Sequence, residues 1–95
     1  MVIGILKIEL EIAFATSIKD KRMVLNRVKD RIRNKFNVSI AETTNQHLWN
    51  LSGIGVAIVC NEQKYANQVL SKIVDHVEVI RDCEIADYSM EFLRI

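Results

Sequence analysis

The chain has 95 residues, of which 49% are hydrophobic and 26% are charged, and its formal net charge is +1. This length predicts one domain that can bury a core without disulfides or metal, and the composition excludes a disordered or fibrous class. Cys60 and Cys83 stand far apart with no paired motif, so we expect reduced thiols in a cytoplasmic protein, with no zinc site. Charges from Lys7 onward interrupt the apolar start, which excludes a signal peptide and a membrane span.

The first two predicted elements are a strand and a helix. Polar residues alternate with apolar ones through Ile3–Ile12, and this period of two predicts a half-buried strand. Ser17 is a candidate N-cap with Asp20 three residues later, close to a capping box. An amphipathic helix is therefore expected over about 18–35. Its apolar stripe consists of Ile18, Leu25, Val28, Ile32 and Phe36.

Two further strands flank a polar connection. Val38–Thr43 is predicted to be the second strand, and Thr44–Ser52 is predicted to be a connection that carries Trp49. The nearly continuous apolar run Ile54–Cys60 is typical of a strand in the centre of a sheet.

The last third of the chain predicts a second helix and a final strand. Asn61 is a candidate N-cap, and apolar residues follow at four-residue steps. The run Ala86–Phe92 again alternates between apolar and polar residues, as a half-buried strand does. The predicted stripe of the second helix is Tyr65, Val69, Ile73 and Val77.

This βαββαβ order predicts an α+β, ferredoxin-like fold: one domain over 1–95, with a four-stranded antiparallel sheet and two helices on one face. The crossover rules place the first and third strands in the centre and the other two at the edges. The second face of the sheet is left open. Its predicted polar residues are Lys7, Glu9, Glu11, Asp87, Ser89 and Glu91.

The fold alone does not decide the function, because ferredoxin-like domains host many unrelated functions. The central strands lack the aromatic residues on which an RNA-recognition motif stacks bases. The first loop, 13–18, has neither the cysteines of a metallochaperone nor the glycines of a phosphate-wrapping loop. His47 and His76 have no identifiable nucleophile partner, and Glu9 and Glu11 are expected to be solubilising charges. We therefore predict a protein that is not an enzyme, with no catalytic residues, cofactor or metal.

The most informative feature is a basic segment, Lys19–Lys35, which holds eight of the thirteen basic residues and only two acids. Its net charge is +6, whereas the rest of the chain, with five basic and ten acidic residues, carries −5. Cations around a helix N-terminus and along its outer face suit an anion or spaced RNA phosphates. The predicted nucleic-acid-binding residues are Lys19, Lys21, Arg22, Lys29, Arg33 and Lys35.

Alternatives remain open for three features. The basic helix is simply a solvated face if acids of the same domain, such as Asp75 and Glu78, neutralise it. Trp49 either closes the hairpin as a core or interface residue, or offers a stacking platform beside the basic helix. The predicted edge strand ends in apolar residues, so the protein is alternatively a homodimeric interaction or regulatory module that uses this edge or the open sheet face.

Four sequence blocks resemble the YlxP-like family of small bacterial proteins, in order and with similar spacing. They are Ser17–Arg22, Arg33–Glu42, Leu48–Trp49 and Gly55–Val59. The family motif falls here on Lys19, Lys21, Arg22, Arg33, Phe36, Asn37, Ser39, Glu42 and Trp49. Ile18 and Asp20 stand where Leu and Glu are more usual.

The resemblance implies a ferredoxin-like fold and a conserved protein without an assigned biochemical activity. Genes of this family commonly lie among those for translation initiation and ribosome maturation. The resemblance therefore implies an RNA- or ribosome-associated role in the cytoplasm.

Overall fold

A computed structural model describes all 95 residues and contains four strands and two helices in the order βαββαβ. The elements are β1 (Val2–Glu11), α1 (Ile18–Lys35), β2 (Ser39–Thr44), β3 (Leu51–Cys60), α2 (Gln63–Glu78) and β4 (Glu84–Arg94). The strands form one antiparallel sheet in the order β2-β3-β1-β4. The predicted ferredoxin-like α+β fold, with its first and third strands in the centre, is confirmed.

The core lies between the sheet and the two helices, where 21 buried residues form one continuous cluster. Even-numbered residues of β1, such as Leu6 and Ile8, face the helices and are buried. The opposite face is open, as predicted, and Lys7 contacts Glu91 across it with an Nζ–Oε1 distance of 3.7 Å. One face of the sheet is therefore free of helices and strongly charged toward one end.

Helix α1 has the predicted bounds because its cap and its apolar spacing agree. The Ser17 hydroxyl accepts a hydrogen bond from the Asp20 backbone N–H at 3.1 Å, which satisfies one of the amides left unpaired at a helix start. At the other end, Phe36 is the C-cap in extended backbone, and its N–H still donates to the Ile32 carbonyl.

Helix α2 departs from the prediction in two details. Its N-cap is Glu62 rather than Asn61, and the cap side chain makes no hydrogen bond. Tyr65 is exposed, because the buried stripe starts one residue later, about 100° around the helix axis. The buried residues of α2 are Ala66, Leu70, Ile73, Val74 and Val77.

Neither helix combines the length and the hydropathy of a membrane-spanning segment. No group of three or more His, Cys, Asp or Glu side chains is arranged to hold a metal ion.

Candidate nucleic-acid interface

Four cations form a stripe along the outer side of α1: Lys19, Arg22, Lys29 and Arg33, hereafter the basic stripe. Their spacing of three, seven and four residues keeps them within about 80° around the helix axis and spreads them over about 21 Å. Lys29 is half-buried and the other three are exposed. The ion pairs of the domain involve none of the four. The basic stripe therefore presents cations to solvent that form no ion pair, and Asp30, three residues before Arg33, is the one acid of α1 on the same side of the helix.

One end of the basic stripe is tied to the sheet edge. The Arg33 guanidinium donates from Nη2 to the backbone carbonyl of Ile40 in β2, at 3.1 Å. This hydrogen bond uses one donor of the five on a guanidinium, so most of the group remains available. Lys35 is exposed but follows Arg33 by two residues, and it therefore lies about 160° away around the helix. The structure does not bring Lys35 into the basic stripe.

The prediction that Lys21 contacts phosphate is wrong, because Lys21 is 1% exposed and points into the domain. Its Nζ lies 2.8 Å from Oε2 of Glu42 and donates to the carbonyls of Asn45 at 2.7 Å and Leu51 at 3.1 Å. A signal for this was present in the sequence. Lys21 precedes Leu25 by four residues and Val28 by seven, so helical periodicity places it on the buried stripe.

Lys21 fastens the connection between β2 and β3 to the first turn of α1. The two carbonyls that it binds stand at either end of this connection, since Asn45 is its first residue and Leu51 directly follows it. Glu42 completes the network by accepting from the Ser52 hydroxyl at 2.7 Å. Every buried polar side-chain atom of the domain has a hydrogen-bond partner, so the network is fully satisfied.

Trp49 lies in this fastened connection and is 52% exposed. The alternative that Trp49 closes the hairpin as a core residue is therefore wrong, because half of its surface faces solvent, and its role as an interface residue stays a prediction. Lys21 holds both ends of the connection against the first turn of α1, and the indole lies within this connection. A partly exposed indole is a side chain on which a base can stack.

The acids expected to neutralise the helix do not do so. Asp75 and Glu78 are exposed and form no ion pair. Instead Asp82, in the turn after α2, pairs with Arg27. Arg27 lies on the α2 side of α1, away from the basic stripe, so this pair lowers the positive charge there and leaves the stripe itself unneutralised.

A carboxylate of the chain itself, that of Asp20, lies at the N-terminus of α1. Oδ2 of Asp20 accepts from the backbone N–H of Thr16 at 3.1 Å and from its hydroxyl at 3.0 Å. These hydrogen bonds lower the pKa of the Asp20 carboxyl, and the one from the Thr16 backbone has the larger effect. The expected anion site at the first turn is therefore partly occupied from within, and the basic stripe farther along the helix is the stronger candidate.

Residues 3–90 match a family model described as a protein of unknown function, DUF503. The chain belongs to this family. It is also 34% identical over 82 residues to the uncharacterized protein YlxP of Bacillus subtilis (strain 168), which covers 86% of this chain and 89% of that protein. The resemblance read from the four sequence blocks is confirmed.

Solved structures resemble this DUF503 chain in fold alone. The de novo designed protein Foldit4 superposes with a TM-score of 0.54 at 8% identity, covering 99% of this chain and 97% of its own. SnoaB, a cofactor-independent oxygenase from Streptomyces nogalater, gives a TM-score of 0.52 at 6% identity, with 99% and 92% covered. At such identities these matches show the arrangement of strands and helices and no shared chemistry.

The sequence reasoning missed Phe14, which is 86% exposed in the loop between β1 and α1. It falls outside both the strand alternation and the helical stripe, and that position was the available signal. Phe14 lines a depression with Met23 and Arg27, where α1 contacts the turn after α2.

Proposed function

We propose that this protein is a non-enzymatic cytoplasmic accessory domain that associates with RNA or the ribosome through the basic stripe of α1. The single observation that carries the proposal is the stripe itself, whose four cations form no ion pair within the domain. The whole chain has a net charge of only +1, so it attracts anions weakly as a whole. Unpaired cations concentrated on one helix therefore favour a polyanionic partner that contacts this helix.

Phosphate contacts account best for the spacing of the stripe. Lys19, Arg22, Lys29 and Arg33 cover about 21 Å of helix, enough to contact several phosphates of one strand or of two strands facing each other. Four such contacts give a slope of about −3 to −4 for the logarithm of the association constant against the logarithm of salt concentration. Contacts of this kind position RNA by charge and shape and carry little base specificity.

The acidic end of the open sheet face argues that this face is not the RNA surface. Glu9 pairs in register with Asp87, and Glu11 with Glu84, so four carboxylates lie together on two neighbouring strands. A phosphate backbone is repelled there. RNA contact on the helix side fits the distribution of charge.

A charge-reversal experiment tests the proposal. The variant Arg22→Glu with Arg33→Glu is expected to lose association with ribosomal particles in a sedimentation assay. The matched control is Lys64→Glu with Lys72→Glu, which makes the same change in net charge on exposed, unpaired lysines of α2. This control is expected to sediment as the unmodified protein does.

A second variant is needed because Arg33 also donates to the Ile40 carbonyl, so replacing Arg33 removes a structural hydrogen bond as well as a charge. Lys19→Glu with Arg22→Glu leaves that bond in place and puts an acid in the first turn, where the helix dipole favours it. Loss of sedimentation in both stripe variants and not in the control supports the proposal. Normal sedimentation of both stripe variants contradicts it.

A homodimeric interaction or regulatory module is the alternative, and one observation favours it. At the end of the open face opposite the acids, Ile3 pairs in register with Val59 on one side and Leu93 on the other, and Val59 is 66% exposed. Such an apolar row on a helix-free face suits self-association. Light scattering at micromolar concentration separates the two functions, since a stable dimer without RNA affinity supports the alternative.

A further inference from the structure

Two depressions meet on the side of α1 that faces the end of α2, and the ion pair of Arg27 with Asp82 stands between them. One depression is apolar and measures about 140 Å³, and the other is rich in arginine and measures about 400 Å³. Neither belongs to the basic stripe, because Arg27 and Arg31 lie more than about 100° from its midline around the helix. Together they form a site that the proposed RNA contact does not use.

The apolar depression exposes an aromatic ring without a partner inside the domain. Phe14 is 86% exposed and Met23 is 55% exposed, and both line the depression above the buried side chains of Ile12 and Val24. A phenyl ring and a flexible thioether are the groups on which a flat heterocycle packs well, by stacking and by sulfur contact. The depression therefore suits a planar, largely apolar ring.

The arginine-rich depression suits a phosphate group. Arg27, Arg31 and Arg81 line it together with Val79 and Ile80, and Asp82 is the one carboxylate among them. Only Arg27 has an acidic partner, so two guanidinium groups of this cluster are unpaired. Guanidinium binds phosphate through two parallel hydrogen bonds, which makes a cluster of arginines a strong phosphate receptor.

The surrounding acids fix which way a ligand lies. The carboxylate of Asp20, at the rim of the apolar depression, accepts two hydrogen bonds from Thr16 and is turned to that residue. Glu11 and Glu84 line a third and smaller depression beside Phe14, and Arg81 and Asp82 stand at its border with the arginine-rich depression, since they line both. A phosphate is repelled from the two glutamates and attracted to the arginine side.

We propose that these two depressions form a nucleotide-binding site. The base packs on Phe14 and Met23, and the phosphate is bound by Arg27, Arg31 and Arg81. Asp82 pairs with Arg27 in the unbound protein, and the phosphate displaces the Asp82 carboxylate from Arg27. The ligand is either a free nucleotide or one nucleotide of a single-stranded RNA, since both present the same ring and the same phosphate.

The site is tested by titrating the isotope-labelled full-length protein with adenosine 5′-monophosphate and following backbone and arginine side-chain resonances by NMR. Shifts are expected at Phe14, Met23 and the three arginines, with binding at least about tenfold tighter than for adenosine or inorganic phosphate, each of which supplies half of the contacts. Equal affinity for inorganic phosphate and the nucleotide, shifts confined to the basic stripe, or no saturable binding overturns the proposal.

Single substitutions test separately the part of the site that packs on the base and the part that binds the phosphate. Phe14→Ser and Arg81→Gln change exposed side chains, and each is expected to weaken nucleotide binding about tenfold. The control Lys64→Gln changes an exposed, unpaired lysine of α2 that lines neither depression, and it is expected to leave binding unchanged. Asp82→Asn removes the competitor from Arg27 and is expected to tighten binding about two- to fivefold, the range set by an exposed ion pair. Unchanged affinity in Phe14→Ser, or weaker affinity in Asp82→Asn, contradicts the proposal.

A single-stranded RNA of about ten nucleotides distinguishes the two sources of the ligand. The RNA is titrated into the stripe variant Arg22→Glu with Arg33→Glu, and if it shifts the same resonances there and binds more tightly than the mononucleotide, the ligand is part of a strand. If only the mononucleotide shifts them, the ligand is a free nucleotide. Either result keeps the site, and neither depends on the basic stripe, so failure here and failure of the proposed function are separable.

Discussion

Replacing Lys21 with methionine tests the central structural claim about the basic helix, that this lysine is an internal fastener and not a phosphate ligand. Methionine retains most of the aliphatic stem and removes the ammonium group. The change leaves Glu42 without its cation and removes the donor from the carbonyls of Asn45 and Leu51. We expect a large loss of stability from a single substitution on a helix that is otherwise solvated.

The magnitude follows from burial. Removing one partner of a buried ion pair costs about 3 to 5 kcal/mol, because the other charge stays behind. Glu42 is 18% exposed and keeps the Ser52 hydroxyl as a donor, so water and that bond relieve part of the cost. We expect a loss of about 3 kcal/mol, a large part of the roughly 5 to 14 kcal/mol typical of a domain of this size.

Urea denaturation followed by fluorescence measures this loss, because Trp49 is the one tryptophan of the chain and lies in the fastened connection. Lys19→Met is the matched control. It removes an exposed lysine two residues earlier and is expected to change the unfolding free energy by less than about 0.5 kcal/mol. The emission of native Lys21→Met is also expected to move to longer wavelength, since its indole is less restrained.

A double-mutant cycle completes the argument. If the pair is one network, Lys21→Met and Glu42→Met together destabilise the domain by about 2 kcal/mol less than the sum of the single changes. A loss of less than about 1 kcal/mol in Lys21→Met, or additive effects of the two substitutions, refutes the buried pair.

The remaining predictions concern the N-cap Ser17, the packing of Gly53 against Thr44 and the thiol of Cys83. Ser17→Ala removes the N-cap bond to Asp20 and is expected to lower the unfolding free energy by about 1 kcal/mol, measured with urea, whereas Ser17→Gly loses only a few tenths. Gly53→Ala places a Cβ against the Thr44 hydroxyl oxygen and is expected to lower the stability by about 1 to 3 kcal/mol. Combining it with Thr44→Ala should recover much of this loss, and additive effects contradict the clash. Burial, aided by the charge of Asp82, raises the pKa of the Cys83 thiol, so at neutral pH alkylation of Cys83 followed by mass spectrometry should be slower than that of the half-buried Cys60. Equal rates in the native protein contradict this.

The elements and their faces were predictable because their signals are local. The cap at Ser17 and the spacing of Leu25, Val28 and Ile32 gave the bounds of α1, and the alternation in β1 gave the charged face of the sheet. Propensity and periodicity act over a few residues, and here they agree with the tertiary structure. The start of α2 was less predictable, because Glu62 makes no side-chain cap bond and the sequence carries no decisive start signal. Two strand ends were also wrong: β3 begins at Leu51, within the predicted connection, and β4 extends beyond Ala86–Phe92 at both ends, because pairing with β1 lengthens both strands.

The partners of the charged side chains were decided by the tertiary structure. Asp82 is 55 residues from Arg27, and Leu51 is 30 residues from Lys21, so no local pattern pairs them. The exposure of Phe14 likewise depends on which elements cover its loop. Sequence by itself determined that a strongly basic helix lies on a ferredoxin-like sheet. Only the folded arrangement decided that Lys21 is an internal fastener, that Arg27 is paired and that four cations remain free, because packing between distant elements determines which charges meet.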